Sequence, residues 1–355
     1  MLADSVRLVL GEQHSMILKQ DGSLWSTAVT FRGPISSRGV QKYFFKVFPS
    51  GATAAAAGCG YSLVLKGDSV WAMGRNYQGQ LGDGTKVRKI TFVFVKMISG
   101  AQTVAAGCGH SMVLTQEGQV WVTGCNNYGQ LGGGSKSYTK RFFVVISFGA
   151  NAVAAGDSHS IVLKENGSVW AAGRNYNGQL GDGTNTDKGS FLEVMSSGAA
   201  DVAAGGYHSI VLKQDGSVWA TGWNKYGQLG DGSTTDRLDY VWVVSSEAKA
   251  VAAGSWHTML LKQDGSVWAT GQNEYGQLGD GSTSNSHAFV QVVSDGATGV
   301  AAGAFHSMVL KQGSSIWATG SNKDGQFGEA SRKSAKAFVR LTPFGEGMRH
   351  ILDLQ

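Results

Sequence analysis

Between residues 201 and 244 the apolar positions fall into four short runs separated by glycines and polar residues. The first, DVAAG (201–205), is built of small residues. The second, HSIVLK (208–213), is an unbroken apolar run, as expected of a strand buried on both faces. GSVWATG (216–222) follows directly, and the Asp215-Gly216 pair between the two is a strong local hairpin signal. After the glycine-rich loop NKYGQLGDGSTTD (224–236), β-branched and aromatic residues return in DYVWVV (239–244). The pattern predicts four antiparallel strands in one sheet.

The same pattern recurs along nearly the whole chain. Trp25, Trp71, Trp121, Trp170, Trp219, Trp268 and Trp317 stand 46, 50, 49, 49, 49 and 49 residues apart. Eleven residues before a tryptophan come His14, His110, His159, His208, His257 and His306; the second copy has Tyr61, ten before Trp71. Seven such units are the signature of propeller blades. The predicted fold is all-β: a closed ring of seven four-stranded antiparallel blades, one domain over residues 1–355. An open solenoid would need polar capping repeats, whereas closure removes the ends. Residue size fits wedge-shaped blades, with Val-Ala-Ala-Gly at the narrow axis and FLEVM, YVWVV or FVQVV at the wide rim. The repeated tryptophan is expected to fill the seam between blades, where its truncation would cost roughly 3–5 kcal/mol. The first unit is worn, since WSTAVTFRGPISSRG (25–39) lacks the GQLG loop. The tail, 342–355, is expected to help close the ring beside VRLVL (6–10).

Composition narrows the class. The chain has 52 Gly and only 3 Pro, with 42% hydrophobic residues, which excludes collagen and disorder and fits short strands joined by tight turns. The net charge of +5 is mild, so any electrostatic argument rests on where the charges sit. Three cysteines (Cys59, Cys108, Cys125) make no disulfide framework, and the odd count points to a reducing compartment. The opening MLADSVRLVLG lacks a basic n-region, and no apolar run is long enough to cross a membrane. An intracellular protein, cytoplasmic or nuclear, is expected, without membrane insertion.

At HSIVLKQDGSVWATGWNKYGQLGDG (208–232) the sequence resembles the repeat of the regulator of chromosome condensation family, in seven copies over nearly the whole chain. The resemblance implies a seven-bladed propeller and little about function, because this fold hosts unrelated tasks. The family's nuclear exchange factor acts on a small GTPase and docks on chromatin through a basic N-terminal tail and an inserted wedge. Here the repeats begin almost at residue 1 and run without an insertion, which weakens that role.

In such a propeller the G-x-x-H turns and the GQLG loops share one face, and the short QDGS hairpins occupy the other. Variation is concentrated on the first face, where a rigid scaffold presents binding loops. Tyr207, Trp256 and Phe305 occupy one equivalent position on three successive blades, and Trp223 adds a ring on blade five. They are either an aromatic anchor patch for a partner or a plug that closes the channel mouth. The loops after GQLG carry a second asymmetry: Lys86, Arg88 and Lys89 on blade two, Lys136, Lys140 and Arg141 on blade three, and Arg332, Lys333 and Lys336 on blade seven. With Arg32, Arg38 and Lys42 on blade one they would form a basic arc, a footprint for nucleic acid or an acidic surface. A solvated surface is the plainer reading, because no aromatic residues interleave to stack bases.

Other chemistry is discounted. The histidines lie on different blades, too far apart for one ion, and are expected to bond to loop backbone. Cys59 and Cys108 hold equivalent positions on neighbouring blades and are expected to be structural thiols. DGTNTD (182–187) and DGSTTD (231–236) lack the ligand pattern of a calcium loop. The glycine-rich loops carry no phosphate-loop lysine. No catalytic residues, metal or cofactor are expected. The functional expectation is a non-enzymatic scaffold binding another protein or a large assembly, with a chromatin-associated or GTPase-regulating propeller as the alternative.

Overall fold

The computed structural model describes residues 6–27, 43–329 and 331–342. The seven blades are present, each a four-stranded antiparallel sheet whose strands follow chain order. Blade five comprises Ala199–Ala204, His208–Lys213, Val218–Gly222 and Arg237–Val244, as the hydrophobic runs predict. Its second and third strands pair in continuous register from His208↔Gly222 to Leu212↔Val218. The outer strand joins with register shifts on either side of the Trp219–Ala220 pairing, bulges that raise the local twist.

The worn first unit also builds a complete blade, Arg7–Leu10, Ser15–Leu18, Leu24–Ser26 and Phe45–Phe48. Among the described residues each blade is therefore made of consecutive strands. The ring closes by side-chain burial between blades seven and one, where Met308, Ile316 and Phe327 meet Ile17, Phe44 and Leu8. Residues 343–355, expected to fasten the ring, lie outside the described residues.

Hydrophobic cores sit in the seams. Each of seven clusters joins the second strand of one blade to the next blade; Ile161 and Leu163 of blade four, for example, meet Val202 and Val211 of blade five. The repeated tryptophans lie at the margins of these seams and are only half-buried. Lysine ammonium groups cover several of them, Lys213 over Trp219 at 4.5 Å and Lys262 over Trp268 at 4.9 Å. Five of the seven indole N–H groups donate to a serine two residues back, as from Trp219 to Ser217 Oγ at 3.2 Å. Six of the seven clusters have a repeated tryptophan packed against them, so the expected seam role holds, but from the margin and not as a fully buried wedge.

A second aromatic series runs through the seams. Phe44, Phe92, Phe142, Phe191, Tyr240, Phe289 and Phe338, all from outer strands or their approach, contribute one ring to each seam. Each of six meets the second glycine of the preceding GQLG or equivalent loop. A β-carbon on Gly181, for instance, would sit 2.5 Å from the Tyr240 ring. Just beyond, main-chain bridges such as Asp83↔Arg141 and Asp182↔Asp239 tie the loops of blades two to six to the next outer strand.

Candidate functional site

The G-x-x-H turn positions one ring of side chains near the axis. In blade four, His159 begins the second strand, and its Nε2 lies 2.9 Å from Ser209 Oγ of blade five. The same link repeats from His14 to Ser62, His110 to Ser160, His208 to Thr258, His257 to Ser307 and, across the closure, His306 to Ser15, at 2.7–2.9 Å. At Tyr61 the hydroxyl donates to the His110 carbonyl and lies 3.1 Å from Ser111 Oγ. The histidine side chains thus stitch blade to blade, correcting the expected local backbone bond.

Chemistry fixes the tautomer. A hydroxyl has one proton, and Ser209 gives it to the Gln179 carbonyl at 2.6 Å, as Ser160, Thr258 and Ser307 give theirs to Gln130, Gln228 and Gln277. The imidazole must then donate from Nε2–H, leaving Nδ1 bare. Nδ1 of His110, His159, His208, His257 and His306 is buried without a partner. Burial accordingly holds these groups far below the usual imidazole range: about 4 for His110 and His257 and about 3 for His159, His208 and His306. The turn glycine is obligatory for close approach, since a β-carbon on Gly205 would overlap the His208 ring and lie 2.5 Å from the Gly254 carbonyl.

The GQLG loops are braced from within. Asn224 Nδ2 donates to Asp231 Oδ1 at 2.9 Å, its Oδ1 accepts from Leu229 N, and Gln228 Oε1 accepts from Tyr226 N. Asp231 also pairs with Arg237 at 2.7 Å, as Asp182 does with Lys188 at 3.0 Å. The polar repeat residues hold the loops rigid, and what varies between them is presented outward.

On this frame, three of the four aromatic candidates come together. Tyr207 stacks on Trp256 at 5.2 Å, Trp223 meets Trp256 edge-on at 4.8 Å, and Tyr226 closes on Trp223 at 5.4 Å. Phe305 instead pairs with Tyr275 at 5.2 Å. Arg174 of blade four lies 5.1 Å from both Tyr128 and Tyr207, extending the patch across blades three to six. These rings are half-buried, while Tyr77 and Tyr176 are 66% and 71% exposed on the equivalent loops of blades two and four. Tyr128, Tyr226, Tyr275 and Arg174 were missed by sequence reasoning. For the tyrosines the signal was their place in the GQLG loop, which reads as part of the repeat, whereas Arg174 holds the variable G-x-N site that Trp223 holds on blade five.

At the axis the turns enclose a cavity of about 80 Å³ lined by Glu12, Cys59, Asp157 and Ser255 among others. Cys59 and Cys108 are joined by a disulfide between blades two and three, with Cα atoms 4.5 Å apart, which corrects the expectation of two free thiols. Cys125 is free and buried. Asp157 Oδ1 lies 3.2 Å from Cys108 Sγ. Burial, aided by the Glu12 charge and opposed by Arg174, pushes the Asp157 carboxyl up to about 6.

The basic candidates fall into two described groups. Lys86, Arg88 and Lys89 of blade two lie next to Lys140 and Arg141 of blade three, because the Asp83↔Arg141 bridge joins their loops. Lys89 is paired with Asp83 at 3.1 Å. Lys86 Nζ sits 3.7 Å over the Tyr138 ring, so an aromatic does interleave here, contrary to expectation. Lys136, Lys140, Arg141, Arg332, Lys333 and Lys336 are exposed. Arg32, Arg38 and Lys42, which would join blade seven to blade two, lie outside the described residues.

The RCC1-like domain model matches residues 102–351, and the regulator of chromosome condensation (RCC1) repeat matches 68–114. No curated protein matches the chain in sequence. Among solved structures, human WBSCR16 is similar over 96% of this chain and 94% of its own, at 23% identity and a TM-score of 0.79. Prp20p of Saccharomyces cerevisiae, described with its binding to Gsp1p and histones, is similar over 87% and 82%, at 20% identity and 0.76. Yeast RCC1 (Prp20) bound by Kap60 aligns over 94% and 85%, at 18% identity and 0.78. Among the described residues no helix is long and apolar enough to cross a membrane.

Proposed function

This chain belongs to the RCC1-like domain family, and from that membership we propose that it is a non-enzymatic propeller that binds another protein. Binding uses the face carrying the G-x-x-H turns and GQLG loops. The observation that carries this reading is the cluster of Tyr207, Trp223, Tyr226 and Trp256 with Arg174 beside it. Aromatic rings and arginine dominate the energetics of protein interfaces, and here they converge on blades four to six. Their mutual stacking pre-organises the patch, so little side-chain freedom is lost on binding. Phe305 and Tyr275 extend it toward blade seven. The similarity to Prp20p and to the Kap60-bound yeast protein supports a protein partner as the class.

The test is capture from native extract by wild type, Trp256→Ala and Trp219→Ala. Both tryptophans are half-buried, one on the proposed face and one in a seam. Loss of capture in Trp256→Ala alone supports the reading; equal loss in both assigns the effect to folding.

A second reading rests on Lys86 over Tyr138, flanked by Lys140 and Arg141. Charge with an interleaved ring is the makeup of a single-strand nucleic-acid surface. Affinity for DNA or RNA that falls steeply with salt and drops in Lys140→Ala/Arg141→Ala would favour it; no binding at low salt would dispose of it.

A further inference from the structure

Cys59, Cys108 and Asp157 are 49 residues apart in sequence and hold the same turn position on blades two, three and four. Packing of these neighbouring blades brings their ligand atoms within 4.8 Å of one another. We propose that, once the disulfide is reduced, these three side chains bind a thiophilic divalent ion such as Zn²⁺ at the axial mouth. Two thiolates select zinc over calcium or magnesium, and a carboxylate completes a known type of donor set. The 3.2 Å between Cys108 Sγ and Asp157 Oδ1 is close to the ~3.5 Å edge of a tetrahedron built on bonds of ~2.3 Å to sulfur and ~2.0 Å to oxygen. Both cysteines sit in turns just outside the strands, so side-chain rotation opens the sulfurs to the ~3.8 Å edge that the same bond lengths require. The fourth position is left to water; Glu12 lines the same cavity but lies outside this group of three.

The chemistry balances simply. A dithiol or phosphine reductant supplies two electrons, and two protons complete the two thiols as the sulfur–sulfur bond breaks. Metal binding then releases both thiol protons to solvent. The oxidised and metal-bound forms exclude each other, and each clamps blade two to blade three.

The experiment reduces the purified full chain with a phosphine, removes the reagent anaerobically and titrates with Co²⁺, followed by Zn²⁺. One equivalent of Co²⁺ is expected to give the intense ultraviolet charge-transfer band of thiolate ligation, abolished by an equivalent of Zn²⁺. Cys125→Ser retains the band, and Cys59→Ser and Cys108→Ser lose it. Asp157→Asn weakens metal affinity by about tenfold or more, at least the loss seen for supporting groups around metals. Circular dichroism shows each variant folded without metal. Absence of the band in reduced wild type, its persistence in Cys108→Ser, or unchanged affinity in Asp157→Asn overturns the assignment. None of these readouts involves a partner, so they stand apart from the proposed interaction.

Discussion

Acidification attacks all six histidine stitches at once. His14, His110 and His257 have their pKa values held at about 4, and His159, His208 and His306 at about 3, all by burial. In the unfolded chain each returns to ~6.5. A lowered folded-state value means that the unfolded chain binds the proton first. The stability contribution is complete above pH 6.5 and is lost as pH falls toward the folded values. Each histidine then costs ~1.4 kcal/mol per pH unit. Asp157, raised to about 6, works in the opposite sense and offsets roughly one proton between pH 6 and 4. Net uptake is about five protons, or ~7 kcal/mol per pH unit. A typical stability of ~5–15 kcal/mol is then exhausted near pH 5, before most carboxylates protonate. The assay is an equilibrium acid titration followed by tryptophan fluorescence and near-ultraviolet circular dichroism. The slope of the logarithm of the unfolding constant against pH gives the proton count. A slope of one or two, or native signals at pH 4, would refute the stitched-histidine reasoning.

Four further outcomes follow from local geometry. Gly205→Ala forces a β-carbon into the His208 ring and the Gly254 carbonyl, and should destabilise by at least ~1–3 kcal/mol in urea unfolding. Gly232→Ala meets open space at φ +79° and should cost only ~1–2 kcal/mol of backbone strain. In the seam between blades two and three, Phe142→Ala should cost ~3–5 kcal/mol and Trp121→Ala clearly less, because Phe142 is buried and Trp121 half-buried under Lys96. Reduction of the Cys59–Cys108 disulfide in the absence of metal should lower stability by about 4 kcal/mol, the loop-entropy value for a 49-residue separation, read as a drop in melting temperature.

Blade number, strand order and the shared loop face were legible in the sequence because each follows from a local period repeated seven times. His208, Trp219 and the Asp215-Gly216 turn recur in fixed frame, and local spacing sets strand and hairpin register. What failed to show were contacts between copies. His159 reaches Ser209 fifty residues on, a pairing visible only when neighbouring wedges meet. The outer-strand series from Phe44 to Phe338 was equally periodic, yet its place in the seam depends on glycines of the preceding blade. Tryptophan was read as the buried wedge by its size, whereas Lys213 and Ser217 cover and bond Trp219 at the seam margin. Of the candidate site, Tyr207, Trp223 and Trp256 were recognised as departures from the repeat. Tyr226 and Tyr275 were hidden because they conform to it. Arg174 varies like Trp223, but its role appears only when blade five places Tyr207 beside it.

One measurement bears most directly on a closed wheel that binds through a single side: amide hydrogen exchange of the free protein against its captured complex. Protection should appear at the turns and loops around Gly206–Tyr207, Trp223–Tyr226, Ser255–Trp256 and Glu274–Tyr275. The hairpins at 213–217 and 262–266, on the opposite side, should exchange at unchanged rates. Protection confined to those hairpins, or spread equally over both sides, would contradict it.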